Sequence, residues 1–133
     1  MKPQISISTD KKQLNIKFIH AFLTESYWAK GRTVEEVKTT IENCLCFGVY
    51  KNKKQIGFAR VLTDGVVFAY LMDVFIDPAF QGQGFSKLMM QSIMQHPELQ
   101  NIQKWLLKTS DAHGLYKQFG FKNIEEAHKL MEK

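Results

Sequence analysis

The chain has 133 residues, of which 44% are hydrophobic and 23% charged, with ten Phe and a formal net charge of +5. That is the size of one domain, 1–133, able to bury roughly two-thirds of its unfolded surface. No apolar run approaches the ~20 residues of a membrane span and the N-terminal stretch has no apolar export core, so a cytoplasmic protein is expected.

The basic balance, with a pI near 9.2, could serve nucleic acid. The lysines are scattered over 11–12, 51–54, 104–108 and 129–133, however, with no dense stripe interleaved with exposed aromatics. A mildly positive surface that attracts an anionic cofactor accounts for the charge equally well. Neither a nucleic-acid partner nor a membrane is expected. Cys44 and Cys46 would share one strand face, which suits neither a mutual disulfide nor a zinc site. They are expected to be reduced and half-buried, and no metal is expected.

In chain order, Ile5 and Ile7 alternate with Ser6 and Ser8, which predicts a short strand. Asp10 can cap a following helix whose apolar stripe is Leu14, Phe18, Ile19, Phe22 and Leu23. Residues 26–32 read as a link, and Thr33 with Glu36 forms a capping box that opens a second helix to about Asn43. Three strands follow, 44–50, 55–62 and 66–76, joined by turns at 51–54 and 63–65. The third is apolar on both faces except for Asp73, which predicts a central strand covered on both sides. A helix over 84–95 stops near His96-Pro97. A strand over 102–108 and a short helix over 111–119, closed by Gly120, come next, and 121 onward reads as a last strand or a tail. The order is β-α-α-β-β-β-α-β-α-β, an α+β chain with a mixed, mostly antiparallel sheet and helices on both faces.

Between the third strand and its helix stands Asp77-Pro78-Ala79-Phe80-Gln81-Gly82-Gln83-Gly84. A strand that feeds a glycine-rich turn opening a helix gathers unpaired N–H groups at one spot, with the positive end of the helix dipole behind them. It is a ready phosphate or pyrophosphate site. The P-loop run is absent, and Lys87 stands where the dinucleotide fingerprint needs its third glycine.

The turn resembles the pyrophosphate loop of the GCN5-related N-acetyltransferases, Gln/Arg-x-x-Gly-x-Gly/Ala, with Gln81, Gly84 and Ser86 at the defining positions. Ser86 departs from the usual Gly or Ala but is small, and its hydroxyl could reach a phosphate. Ala112 to Phe121, a helix carrying Tyr116 followed by Phe-Gly-Phe, is similar to that family's C-terminal signature, and the element order matches its fold over essentially the whole chain.

The resemblance implies transfer of the acetyl group of acetyl-CoA to a primary amine, by direct attack and without a metal. It assigns the pyrophosphate to the backbone of Gln81, Gly82, Gln83, Gly84, Phe85 and Ser86, and the pantetheine amides to Val74, Phe75 and Ile76. Asp111, Leu115, Tyr116 and Phe119 would form the other wall; Asp111 stands about where many relatives carry Asn, and a carboxylate accepts but does not donate. Tyr116 would be the general acid for the departing sulfur, although its place on an apolar helix face also suits a core tyrosine.

The base is left open. Asp73, the one charge in its strand, could be a buried carboxylate of raised pKa or a structural one satisfied by backbone or arginine. A tight 63–65 turn would put Arg60 opposite about Phe68, away from Asp73. Water, Glu25, His20 and His113 are further options. The acceptor site should involve the 26–32 link, where Tyr27, Trp28 and Arg32 either bind or merely pack. With Arg60, Arg32 could hold an acceptor carboxylate, whereas Trp28 and Tyr27 could hold a cationic or aromatic one. A small-molecule amine fits better than a protein, since no insertion offers a peptide groove. The alternative is a non-catalytic acyl-CoA-binding module that acts through a protein partner. An exposed edge strand near the C-terminus could support a homodimer.

Overall fold

The computed structural model describes residues 4–133. The start of the stretch read for an export signal, residues 1–3, lies outside them. Five strands form one sheet in the order β1 (Ile5–Ser8), β2 (Leu45–Lys51), β3 (Lys54–Thr63), β4 (Phe68–Ile76) and β5 (Lys104–Leu107). Every pairing is antiparallel except β4 with β5, which is parallel.

Helices α1 (Ile16–Glu25) and α2 (Val34–Glu42) cover one face and α3 (Phe85–Gln95) the other, so the sheet separates two apolar cores. On the first side Ile19, Leu23, Val37 and Ile41 meet Phe58 and Phe75; on the second Met89, Met90 and Ile93 meet Phe47, Val61 and Leu71. The short helix α4 (His113–Lys117) brings Tyr116 into this second core. No helix among the described residues is long and apolar enough to cross a membrane.

Local chemistry sets the element ends. Asn15, not Asp10, caps α1, its side chain accepting from the Phe18 N–H; Asp10 caps a separate 3-10 turn over Lys11–Gln13. The capping box of Thr33 and Glu36 opens α2 with both reciprocal bonds made. On α3 Phe85, Met89, Met90 and Ile93 are buried, while Leu88 faces outward.

Other departures concern the strands. β4 starts at Phe68 because the Asp64 carboxylate accepts from the N–H groups of Val66, Val67 and Phe68, which widens the turn before it. β4 is also not fully covered on both sides: Tyr70 and Met72, facing away from α3, are half-exposed, as is Val74 at the edge of the α3-side core. Past α4 no strand forms; the residues from Phe121 onward hold only a 3-10 turn at Ala127–Lys129. Both cysteines are free and buried rather than half-buried, and burial pushes the Cys46 thiol up to about 12.

Gly57 lies where β3 approaches the end of β4: a Cβ there would meet Ile76 Cδ1 at 2.6 Å and the Phe75 carbonyl oxygen at 3.0 Å. Gly57→Ala is expected to cost about 1–3 kcal/mol in urea unfolding, since backbone and a buried side chain must both yield. An unchanged midpoint would show that the two strands can separate without cost.

Candidate active site

The site begins with a defect in β4. Phe58 pairs with Phe75 and Arg60 with Met72, so Asp73 and Val74 together face the single residue Ala59. Such a bulge leaves one residue outside the ladder. Asp73 takes it up with φ +54°, a left-handed conformation that Asp tolerates better than a β-branched neighbour would. Strict alternation would put residues 71, 73 and 75 on one face. Across the bulge the faces switch: Leu71 packs on the α3 side and Phe75 on the α1–α2 side.

The bulge turns the Asp73 carboxylate into the protein, with its side chain 2% exposed. Oδ2 accepts from Arg60 Nε and Arg32 Nη1, each at 2.5 Å, and Oδ1 accepts from the Trp28 indole N–H at 2.9 Å. Burial opposes the Arg60 charge, but its bonds to Asp73 and to the Cys44 sulfur outweigh this and raise its pKa. Arg60 therefore meets Asp73 after all, because the wide turn shifts the register to Arg60 opposite Met72. Both Asp73 oxygens are engaged by permanent donors, which suits a structural anchor far better than a proton acceptor. The anchor fixes the link between α1 and α2, and Phe22, stacked on Phe75 at 3.9 Å, continues the contact to Trp28.

Beside the bulge the sheet divides. β4 and β5 pair only from Phe68 with Lys104 to Leu71 with Leu107, so β4 runs on from Met72 to Ile76 without a strand on that side. At its end Asp77 caps a 3-10 turn and the Gln81 amide donates to the Ile76 carbonyl at 3.0 Å, drawing the glycine turn against the strand. Gly82 and Gly84 adopt φ of +79° and +82°, which L side chains rarely do. Gly84 starts α3 with no side-chain cap, so the amides of the first turn stay open to an anion.

Opposite stands α4. The Tyr116 phenol is pushed up to about 12, chiefly by burial, with Asp111 and Tyr27 adding to it. Tyr27, from the α1–α2 link, shares a hydrogen bond with Ser110, just before α4, and so ties the two sides together.

These elements enclose a cavity of about 1300 Å³ that opens on the split. It brings together Tyr27, Trp28, Arg32, Arg60, Asp73, Val74, Asp111, Tyr116 and Phe119. The Phe75 and Ile76 side chains are buried in the two cores, so only their backbone could serve a ligand. Leu115 packs on the α3-side core, and the 81–86 turn stands outside the cavity lining. Of the options for a base, His113 lines the cavity whereas His20 and Glu25 do not. Sequence reasoning missed Phe68, Tyr70, Met72 and Leu106, and the segment after Phe121, all of which line it. A strand reading shows which residues alternate but not which face a helix leaves bare.

Asp73→Ala would strand two guanidinium groups and an indole N–H. A loss of about 3–5 kcal/mol in chemical denaturation is expected, with Asp73→Asn losing less because its amide oxygen still accepts. Equal stabilities for all three proteins would show that the ion pairs do not hold the link.

A family model described as an acetyltransferase (GNAT) domain matches residues 42–123. A solved structure assigned to the GNAT family of acetyltransferases, from Xanthomonas campestris pv. campestris, superposes with a TM-score of 0.95 at 42% identity, over 100% of this chain and 94% of that one. A Gibberella zeae protein assigned as an acetyltransferase is 29% identical, over 90% of this chain and 80% of its own length. At 16% identity, a Clostridium acetobutylicum acetyltransferase structure with acetyl-CoA shares the fold with a TM-score of 0.70, over 99% of this chain and 96% of that one. With a divided sheet, a glycine turn and a matching family model, the chain belongs to the GNAT family of N-acetyltransferases.

Proposed function

We propose that this chain, acting as one domain in the cytoplasm, transfers an acetyl group from acetyl-CoA to the primary amine of a small molecule. The observation that carries the reading is the divided sheet with an uncapped, glycine-opened helix at one end and a buried tyrosine at the other. A structural neighbour from Clostridium acetobutylicum was solved with acetyl-CoA, which supports the choice of cofactor. When bound, acetyl-CoA supplies the acetyl group as an activated thioester.

The residues present fit that cofactor. Open amides from Gly82 to Ser86 suit a pyrophosphate, and the unpaired side of Val74, Phe75 and Ile76 offers the peptide groups that pantetheine amides need. Asp111 and Phe119 form the facing wall, with Leu115 behind them. Tyr116 holds the proton for the leaving sulfur, and its raised pKa keeps the phenol neutral throughout the working pH range. Asp73 positions: through Trp28 and Arg32 it holds the acceptor-side link in place. The amine proton leaves to water at the open mouth of the cavity.

Saturating acetyl-CoA, at about 100 times its Kd, should stabilise the protein by about 2.7 kcal/mol and raise Tm by several degrees. The shift should weaken strongly when dephosphorylated pantetheine replaces acetyl-CoA; equal shifts would remove the glycine turn from the cofactor site. Tyr116→Phe is expected to lower kcat by roughly 10²-fold or more while leaving the acetyl-CoA shift in place. An unchanged kcat would end its role as acid. With a pKa of about 12, Tyr116 should add no alkaline limb to the rate profile below about pH 11. A limb near pH 9 that disappears in Tyr116→Phe would contradict the raised pKa while leaving the acid role in place.

A further inference from the structure

Four carboxylates line the cavity: Asp73, Asp111, Glu125 and Glu126. Three of them are matched to cations of the protein itself. Asp73 is held by Arg32 and Arg60, Glu125 by Lys122 and Glu126 by Lys129. Asp111 is the exception, since among the described residues no Lys, Arg or His stands within ion-pair range of it. The cations of the lining are not all matched either. Lys104 and Lys117 have no carboxylate in range, and Arg32 meets Asp73 through Nη1 alone. Unmatched cations suit a cofactor that carries only negative charge. An unmatched carboxylate opposes such a cofactor, and it is complemented only by a cationic ligand.

Local structure fixes where Asp111 stands. β5 ends at Leu107, and the turn after it is closed by the Ala112 N–H, which donates to the Thr109 hydroxyl at 3.0 Å. Within that turn Ser110 shares its hydrogen bond with Tyr27 of the α1–α2 link. Asp111 is therefore held where the link meets α4, close enough for its charge to act on the Tyr116 phenol. The two aspartates of the site differ in what they can still do. Asp73 is buried with both oxygens engaged by protein donors, whereas Asp111 is exposed and open to a new one.

Resting on the acetyl-transfer reading above, we infer that Asp111 docks the acceptor: its carboxylate accepts hydrogen bonds from the acceptor's ammonium group and holds that nitrogen beside Tyr116. Asp111 stays charged throughout, and the amine proton still leaves to water. The residue thus stands in the wall that faces the cofactor but serves the other reactant. A carboxylate suits that task, since it offers two acceptor oxygens and no donor.

The test sets acetyl-CoA-dependent thiol release with ethanolamine, tyramine and spermidine beside the Tm shift produced by acetyl-CoA alone. Asp111→Asn keeps the shape and removes the charge. It should raise the amine KM about tenfold, the low end for a hydrogen bond to a charged group because the position is exposed, and change kcat less than about threefold. The acetyl-CoA shift should stay the same or grow, because a negative charge has left the cofactor's cavity. Asp111→Glu should recover part of the loss in KM. An unchanged KM in Asp111→Asn, a KM rise accompanied by a smaller acetyl-CoA shift or by a lower Tm of the ligand-free protein, or no turnover of any amine in the panel despite a normal shift, overturns the docking role while the cofactor reading stands. Absence of the shift in the unaltered protein overturns both.

Discussion

The constraint on which the rest of the structure depends is the burial of the Asp73 charge. A single carboxylate inside an apolar strand must be met by hydrogen-bonding cations or neutralised. Here it draws one arginine from β3, and a second arginine and an indole from the α1–α2 link. The bulge supplies the geometry, since only a residue displaced from the ladder can turn toward that side. Where two cores meet across one sheet, the carboxylate marks the point at which β4 changes allegiance from one to the other. Function follows from this: the strand that changes face is also the strand that loses its neighbour, and the gap so produced is where a cofactor can be held by backbone alone.

The two halves of the site obey different physics. The glycine turn needs no side-chain chemistry, only amides left open by helix geometry and a backbone free to adopt positive φ. The acceptor half depends on side chains, and its polar groups are engaged with one another across elements far apart in sequence. On the proposed reading, anion binding rests on backbone geometry, whereas acceptor choice rests on side chains that stand beside the ion pairs holding the α1–α2 link.

How much of this was legible in the sequence follows the same division. The glycine turn, the α2 capping box and the Tyr116 helix are local patterns whose meaning lies within a few residues, and they read correctly as elements. The Arg60–Asp73 contact did not, because it depends on a register set by how Asp64 folds the preceding turn. Asp73 itself was visible only as an anomalous charge; its two arginines decide between base and anchor, and both come from other elements. The half-exposed face of Tyr70 and Met72 was invisible too: alternation along β4 says that they share a face, but the placement of α1 and α2 decides that neither helix covers it. From 121 onward the sequence allowed a last strand or a tail, and no strand forms because Phe121 is used edge-on against Trp105 and Tyr116 and closes a core rather than extending the sheet.

The pairing of β4 with β5 has only four rungs, and they are parallel. Among the described residues β5 has no second neighbour in the sheet, so that edge of the ladder rests on this short pairing and on the side chains beneath it. Regions held by few backbone bonds open locally at low free energy, well before the molecule unfolds. The amides of β5 should therefore exchange with solvent much sooner than those of β3, which is paired along both sides. A molecule lying in the split and bonded to both walls would act as a missing extension of the ladder and slow that exchange. On the proposed reading, the cofactor would complete the secondary structure as well as the chemistry.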